Sequence, residues 1–111
     1  MNTEKLLALV KESLEDKKAQ DINVLNVHNL SSITDFMVVA TGNTARQVKA
    51  LAQHVIEQAK GHGHRPFGDE GSNVGEWALV DLGDIIVHVM QPQTRDFYQL
   101  EKLWTDIGCS I

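Results

Sequence analysis

The chain is poor in cysteine, in basic residues and in long apolar runs, and each shortage excludes something. Cys109 is the only cysteine among 111 residues, so no intrachain disulfide can form. Stability must come from a core, and the scaling of surface with mass suggests that folding hides about two-thirds of what the extended chain exposes. The length is too short for two full-sized domains, so one domain over 1–111 is expected, with its core from about 3 to 104 and a short C-terminal tail. No stretch approaches the roughly 18 apolar residues of a membrane span. The start Met1-Asn2-Thr3-Glu4-Lys5 lacks the apolar run of a signal peptide. A reducing cytoplasm is the expected compartment, with no membrane partner.

Ten Lys and Arg stand against fifteen Asp and Glu, a formal net charge of −5. Proteins that bind nucleic acid draw much of their affinity from neutralising phosphates, so direct DNA or RNA binding is not expected. An acidic surface serves solubility and can also be drawn to a basic protein. With 42% hydrophobic and 23% charged residues, global disorder is excluded.

The apolar pattern supplies the elements. Leu6, Leu7, Val10 and Leu14 recur at helical spacing and predict an amphipathic helix from residue 3 to about 18. Residues 21–27 read as a strand, and the run His28-Asn29-Leu30-Ser31-Ser32 as a turn. Phe36-Met37-Val38-Val39-Ala40 is continuously apolar, the mark of a strand covered on both faces. Thr44 and Gln47 have the spacing of a capping box, in which each side chain satisfies the other's backbone N–H. They open a helix over 44–60 with Ala45, Val48, Ala52, Val55 and Ala59 as its stripe and Gly61 as its C-cap. Residues 68–75, with three glycines, read as a solvent loop.

Trp77-Ala78-Leu79-Val80 and Ile85-Ile86-Val87-His88-Val89-Met90 flank Asp81-Leu82-Gly83-Asp84, a hairpin whose turn relies on Gly83. Leu82, at the tight turn, is expected to project into solvent. Pro92 breaks the second strand, Thr94 can cap, and Phe97, Leu100 and Trp104 mark a last short helix. The order helix, strand, strand, helix, strand, strand, helix gives an α/β domain, a small mixed β-sheet flanked by helices. It is mixed because the helix over 44–60 can cross between parallel strands, whereas the tight turn joins antiparallel ones.

Four clusters carry chemistry-bearing residues. His62-Gly63-His64, with one distant cysteine and no C-x-x-C, does not predefine a tetrahedral site, so no metal is expected. His88, inside an apolar strand, reads as a hydrogen-bonded structural histidine. Ser31, Ser32, Thr34, His28 and Asp35 include the types of a nucleophile, a base and an orienting carboxylate, but lack the strand-elbow-helix context of G-x-S-x-G. Such side chains more often tie down their own backbone in a turn. Thr41-Gly42-Asn43-Thr44 precedes a helix N-terminus, where free N–H groups attract anions. It lacks a phosphate-cradling Lys, and Arg46 is the only nearby cation, so a tight strand-to-helix turn is the preferred reading over a nucleotide site. No cofactor is expected.

The hairpin is different. Trp77, Asp81, Leu82 and Asp84, with Glu70 from the preceding loop, join apolar anchors to carboxylates, a mixture that suits protein binding.

Several spaced motifs then carry a resemblance. Ser31-Ser32-Ile33-Thr34-Asp35, Thr41-Gly42-Asn43-Thr44-Ala45-Arg46-Gln47-Val48, Glu70-Gly71, Trp77, Asp81-Leu82-Gly83-Asp84-Ile85-Ile86-Val87-His88 and Tyr98-Gln99-Leu100-Glu101-Lys102-Leu103-Trp104 resemble the ribosomal silencing factor family, also called Iojap-related. The match runs from about Leu6 to Trp104. It implies a small cytoplasmic protein that docks on the large ribosomal subunit through ribosomal protein L14, keeps the small subunit from joining and damps translation when nutrients are scarce. It also implies a nucleotidyltransferase-like fold, a homodimer away from the ribosome, and no catalysis. A transferase would need a Gly-Ser turn and paired strand carboxylates for metal, which Thr41-Gly42-Asn43, Asp81 and Asp84 do not provide. An acidic protein is repelled by ribosomal RNA and should approach through a basic protein patch. Glu70, Trp77, Asp81, Leu82 and Asp84, with Tyr98 on the last helix, are the expected contacts with L14. The alternative is a nucleotide-using enzyme or sensor built on the turn from Thr41 to Arg46.

Overall fold

The computed structural model describes residues 2–28, 34–71 and 74–99. The first helix, α1 (Thr3–Asp16), starts where Asn2 accepts the Lys5 N–H at 2.8 Å, closing one of the open donors of the first turn. Leu6, Val10 and Leu14 are buried along its inner face, as their spacing requires. The chain then reverses through Lys18, whose φ is 62°, into β1 (Gln20–Asn26). A register irregularity between Gln20 and Asn23 marks the start of that strand, and Asp21 there also takes a positive φ, 49°.

β2 (Phe36–Thr41) is buried from Met37 onward and lies inside the sheet, as its apolar run predicts. It is antiparallel to β1 and parallel to β5 (Ile85–Met90). Between them in sequence come α2 (Ala45–Gly61), β3 (Gly68–Glu70) and β4 (Trp77–Asp81). The sheet order is β1-β2-β5-β4-β3, with the β2/β5 pair the parallel one. Two antiparallel steps from β5 leave β3 running in the same direction as β2, so α2 is the crossover that the mixed sheet demands.

α1 and α2 share one face of the sheet. Val38 and Ala40 of β2, Val87 and Val89 of β5, and Ala78 and Val80 of β4 form one cluster with Leu6, Val10 and Leu14 of α1 and Val48, Leu51, Ala52 and Val55 of α2. The alternate positions Met37, Val39 and Met90 form a second cluster with Val27, against which Leu25 and Trp77 pack. Strand alternation thus gives the sheet a helix-covered face and an opposite face that ends at Trp77.

Several local expectations are corrected. Leu82 does not project into solvent: it is 0% exposed and belongs to the helix-side cluster. The connection after α2 folds over the turn, with the His64 Nε2–H donating to the Leu82 carbonyl at 2.9 Å and the Phe67 N–H donating to the Asp81 carbonyl at 2.8 Å. That cover turns an apparent hairpin tip into core. Residues 68–70 of the expected loop form β3, paired from Gly68↔Asp81 to Glu70↔Leu79. Its exposed, glycine-started sequence hides a strand that a neighbour's backbone specifies. Gly61 stays in α2; His62 caps the helix, and the left-handed residue is Gly63, with φ 81°.

The capping box is also altered. Thr44 accepts the Gln47 N–H at 3.1 Å, but Gln47 Oε1 accepts from Asn43 N at 2.8 Å rather than from Thr44. Its Nε2 reaches the Lys18 carbonyl at 3.1 Å, tying the start of α2 to the end of α1. The last described helix, α3 (Pro92–Tyr98), begins at the proline itself, whose missing N–H is harmless at that position. Gln91 is its N-cap, so Thr94 caps nothing. Leu100, Leu103, Trp104 and Cys109 lie outside the described residues, as do Ser31 and Ser32.

Candidate protein-docking site

Three alternating residues of β4 decide the geometry. Trp77, Leu79 and Asp81 are partly exposed while Ala78 and Val80 between them are buried, so the three share the face opposite α1 and α2. Register then builds a row across the sheet: Glu70 of β3 lies beside Leu79, Leu79 beside His88 of β5, and His88 beside Val39 of β2. The first positions of this surface are therefore set by backbone pairing.

Trp77 anchors one end. Its indole N–H donates to His88 Nδ1 at 3.0 Å, and the two ring centroids are 5.9 Å apart with planes tilted by 46°. Tyr98 of α3 lies over it with centroids 4.8 Å apart, and Phe97 meets the Tyr98 ring edge-on at 5.0 Å. Exposure rises outward along this ladder, from 6% at His88 through a half-buried Trp77 to 53% at Tyr98 and 80% at Phe97. The Trp77 N–H can only donate, so Nδ1 of His88 must be the unprotonated nitrogen and Nε2 carries the proton. Burial pushes the His88 pKa down to about 4, which keeps this neutral form through the physiological range.

α3 is held in place by Arg95, whose guanidinium donates to the Asp21 carbonyl and to Thr41 Oγ1, each at 2.7 Å. The helix that carries Tyr98 is thereby bound to the irregular start of β1 and to the end of β2. Below Trp77, Glu70, Gly71 and Leu79 complete a shallow hollow of about 300 Å³. Gly71 has φ 80°, and a Cβ there would run into the Trp77 carbonyl. Beyond it, Phe67, Asp69, Glu70, Leu79 and Asp81 line a second hollow of about 280 Å³.

The expected contacts are therefore divided. Glu70, Trp77 and Tyr98 come together, and Asp81 lies farther along the same strand, about 13 Å from Trp77 by strand rise. One Asp81 carboxylate oxygen accepts the Gly83 N–H at 2.9 Å, fixing the turn. Leu82 faces the other side of the sheet and is buried, so it is no exposed anchor. Asp84 accepts from the Thr3 hydroxyl at 3.0 Å, next to the start of α1 and away from the aromatic ladder. Sequence reasoning passed over Leu79, Asp69 and Phe97. The two-residue alternation from Trp77 was the signal for Leu79; nothing local marks Asp69, because β3 is seen only through its pairing.

The described residues of the other clusters are engaged in local hydrogen bonds. In the turn after β2, Asn43 N and Gln47 N donate to side chains of the same turn, Gly42 N donates to the Met90 carbonyl, and Thr41 Oγ1 takes the Arg95 donor. The Gly42, Asn43 and Gln47 backbone donors are thus engaged internally. The His28 Nδ1–H donates to Asp35 Oδ1 at 2.7 Å on the surface, and the Thr34 hydroxyl to the Phe36 carbonyl at 3.2 Å. His62 and His64 bond to different carbonyls, those of Gln58 and Leu82, each at 2.9 Å. Among the described residues, no helix is long and apolar enough to cross a membrane.

Known proteins match this chain over nearly its full length. The family model described as "Ribosomal silencing factor during starvation" matches residues 1–110. The ribosomal silencing factor RsfS of Haemophilus influenzae is 46% identical over 99 residues, 89% of this chain and 97% of its own length. The mitochondrial Iojap-related protein of Arabidopsis thaliana is 30% identical, over 94% of this chain and 60% of its own. A crystal structure of a Chromobacterium violaceum protein, 47% identical, superposes with a TM-score of 0.93 and covers 95% of this chain and 88% of that one. The chain belongs to the ribosomal silencing factor family.

Proposed function

We propose that this protein represses translation by occupancy: it binds ribosomal protein L14 on the large ribosomal subunit and thereby obstructs the small subunit, with no substrate turned over. The family match over residues 1–110 is the observation that carries this reading. The aromatic ladder beside Glu70, with Asp81 farther along the same strand, supports the kind of contact, since tryptophan and tyrosine anchors supply most of the energy at protein interfaces and charges supply orientation. A net charge of −5 favours a basic protein over the surrounding RNA as the point of attachment.

The contact surface we assign is Trp77, Tyr98, Leu79 and Glu70, with Asp81 at its margin and Asp84 contributing through charge alone. The protein works in the cytoplasm, under nutrient limitation, and is a homodimer when free. Exposed Phe97 and Tyr98 support self-association, because apolar patches on monomers are small. Light scattering during subunit joining tests the reading: a stoichiometric excess of protein should suppress association. Full association at saturating protein would refute it.

A further inference from the structure

We propose that His88 positions Trp77 for partner binding, by holding the indole in one orientation through its Nδ1 acceptor. The inference deepens the contact surface assigned above and rests on that reading. Trp77 packs by one side on the cluster of Val27, Met37, Val39 and Met90, but it is the first residue of β4, and β3 on its other side ends its pairing at Glu70↔Leu79, so the outer part of the ring is left half-buried. Ring packing from Tyr98, with centroids 4.8 Å apart, is non-directional compared with a hydrogen bond. The hydrogen bond at 3.0 Å is directional and selects one orientation of the indole.

His88 is well placed for this role. It is 6% exposed, in the middle of β5, the strand at the centre of the sheet, with Val39 and Leu79 as its lateral neighbours. The acceptor is therefore rigid. The one acceptor this buried side chain carries is matched to the indole N–H. What it holds is the inner ring of a ladder whose outer members, Tyr98 and Phe97, reach solvent. A pre-oriented anchor binds more tightly because less side-chain freedom is lost on association.

Two amide substitutions separate positioning from packing. In His88→Asn the side-chain oxygen can occupy the Nδ1 location, whereas in His88→Gln it lies one bond farther out, near Nε2. A purely structural histidine ranks the variants by filled volume, Gln above Asn. A positioning histidine ranks them by acceptor location, Asn above Gln. Both are made in a Trp104→Phe background, which leaves Trp77 as the sole tryptophan. Affinity for purified large ribosomal subunits, thermal melting and acrylamide quenching of Trp77 are measured on each. We expect H88N to bind within about twofold of the parent, and H88Q to bind about fivefold more weakly with more accessible Trp77 fluorescence, the loss of one net hydrogen bond. Melting temperatures should run the other way, with H88N the less stable. Equal affinity of the two variants, or tighter binding by H88Q, overturns the positioning role while Trp77→Ala still abolishes binding. If Trp77→Ala itself binds like the parent, the assigned surface is wrong and the role of His88 falls with it. His88→Phe, which fills the site without an acceptor, repeats the comparison if either amide variant fails to fold, and should bind as weakly as H88Q; parental affinity in H88F would overturn the role.

Discussion

Leu82→Ala offers the sharpest separation between an interface residue and a core residue. The side chain is 0% exposed and sits in the cluster shared by α1, α2 and the sheet. Truncation removes three carbons, about 2.4 kcal/mol at roughly 0.8 kcal/mol for each buried methylene. The turn is held by the Leu82 N–H to Ile85 carbonyl bond at 2.9 Å and by the His64 contact, so it cannot readily collapse into the space, and a cavity term adds to the loss. The expected cost is about 3–4 kcal/mol, within the range known for buried leucines. At about 4 °C per kcal/mol for a domain of this size, melting should fall by roughly 12–16 °C. Urea unfolding followed by circular dichroism measures the change, and the slope with urea should stay constant while the midpoint drops. The folded fraction should bind large subunits with parental affinity, because the residue lies on the face away from Trp77. A loss below about 1 kcal/mol together with weakened binding would restore Leu82 as an exposed anchor and refute the packing argument.

Why the sequence misled most at Leu82 and at residues 68–70 is itself physical. Strands and helices were readable from period: the buried run of β2, the stripe of α2 and the hairpin of β4 and β5 each declare themselves within a few residues. The identity of the docking face was half-legible for the same reason, since Trp77, Leu79 and Asp81 share a face by alternation alone. What failed depends on distant chain. Leu82 is buried because residues 64–67 fold over its turn, and β3 is a strand because β4 offers it a backbone edge. Neither fact has a local signature. His88 lies between the two cases: its burial was legible from the apolar strand around it, but its bond to Trp77 requires the antiparallel offset of β4 and β5.

Three further outcomes follow from the same geometry. Asp81→Lys should slow association with large subunits in stopped-flow measurements, with the difference shrinking as salt rises; a salt-independent rate would remove the electrostatic part of the docking argument. Titration calorimetry with magnesium and nucleoside triphosphates should give no specific heat, because the Gly42, Asn43 and Gln47 backbone donors of the turn after β2 are engaged and the turn lacks a phosphate-cradling Lys; micromolar binding that depends on Arg46 would favour the nucleotide-using alternative. The third concerns acid. His88 titrates near 4 in the folded protein, against 6.5 for an unburied histidine, because burial disfavours its charged form. The unfolded chain therefore binds more protons than the folded one between those values, and stability must fall as pH drops from about 6.5 to about 4. The full difference is on the order of 3 kcal/mol, at 1.36 kcal/mol for each pKa unit. Below about pH 4 both states carry the proton and this contribution no longer changes. His88→Phe should flatten the stability profile across that window relative to the parent. Trp77 emission of the folded protein should instead change only around pH 4, where folded His88 takes its proton and a proton on Nδ1 displaces the indole N–H. An H88F profile parallel to the parent's from pH 6.5 to 4 would show that other groups set the acid limit, and that the Trp77–His88 bond contributes nothing to it.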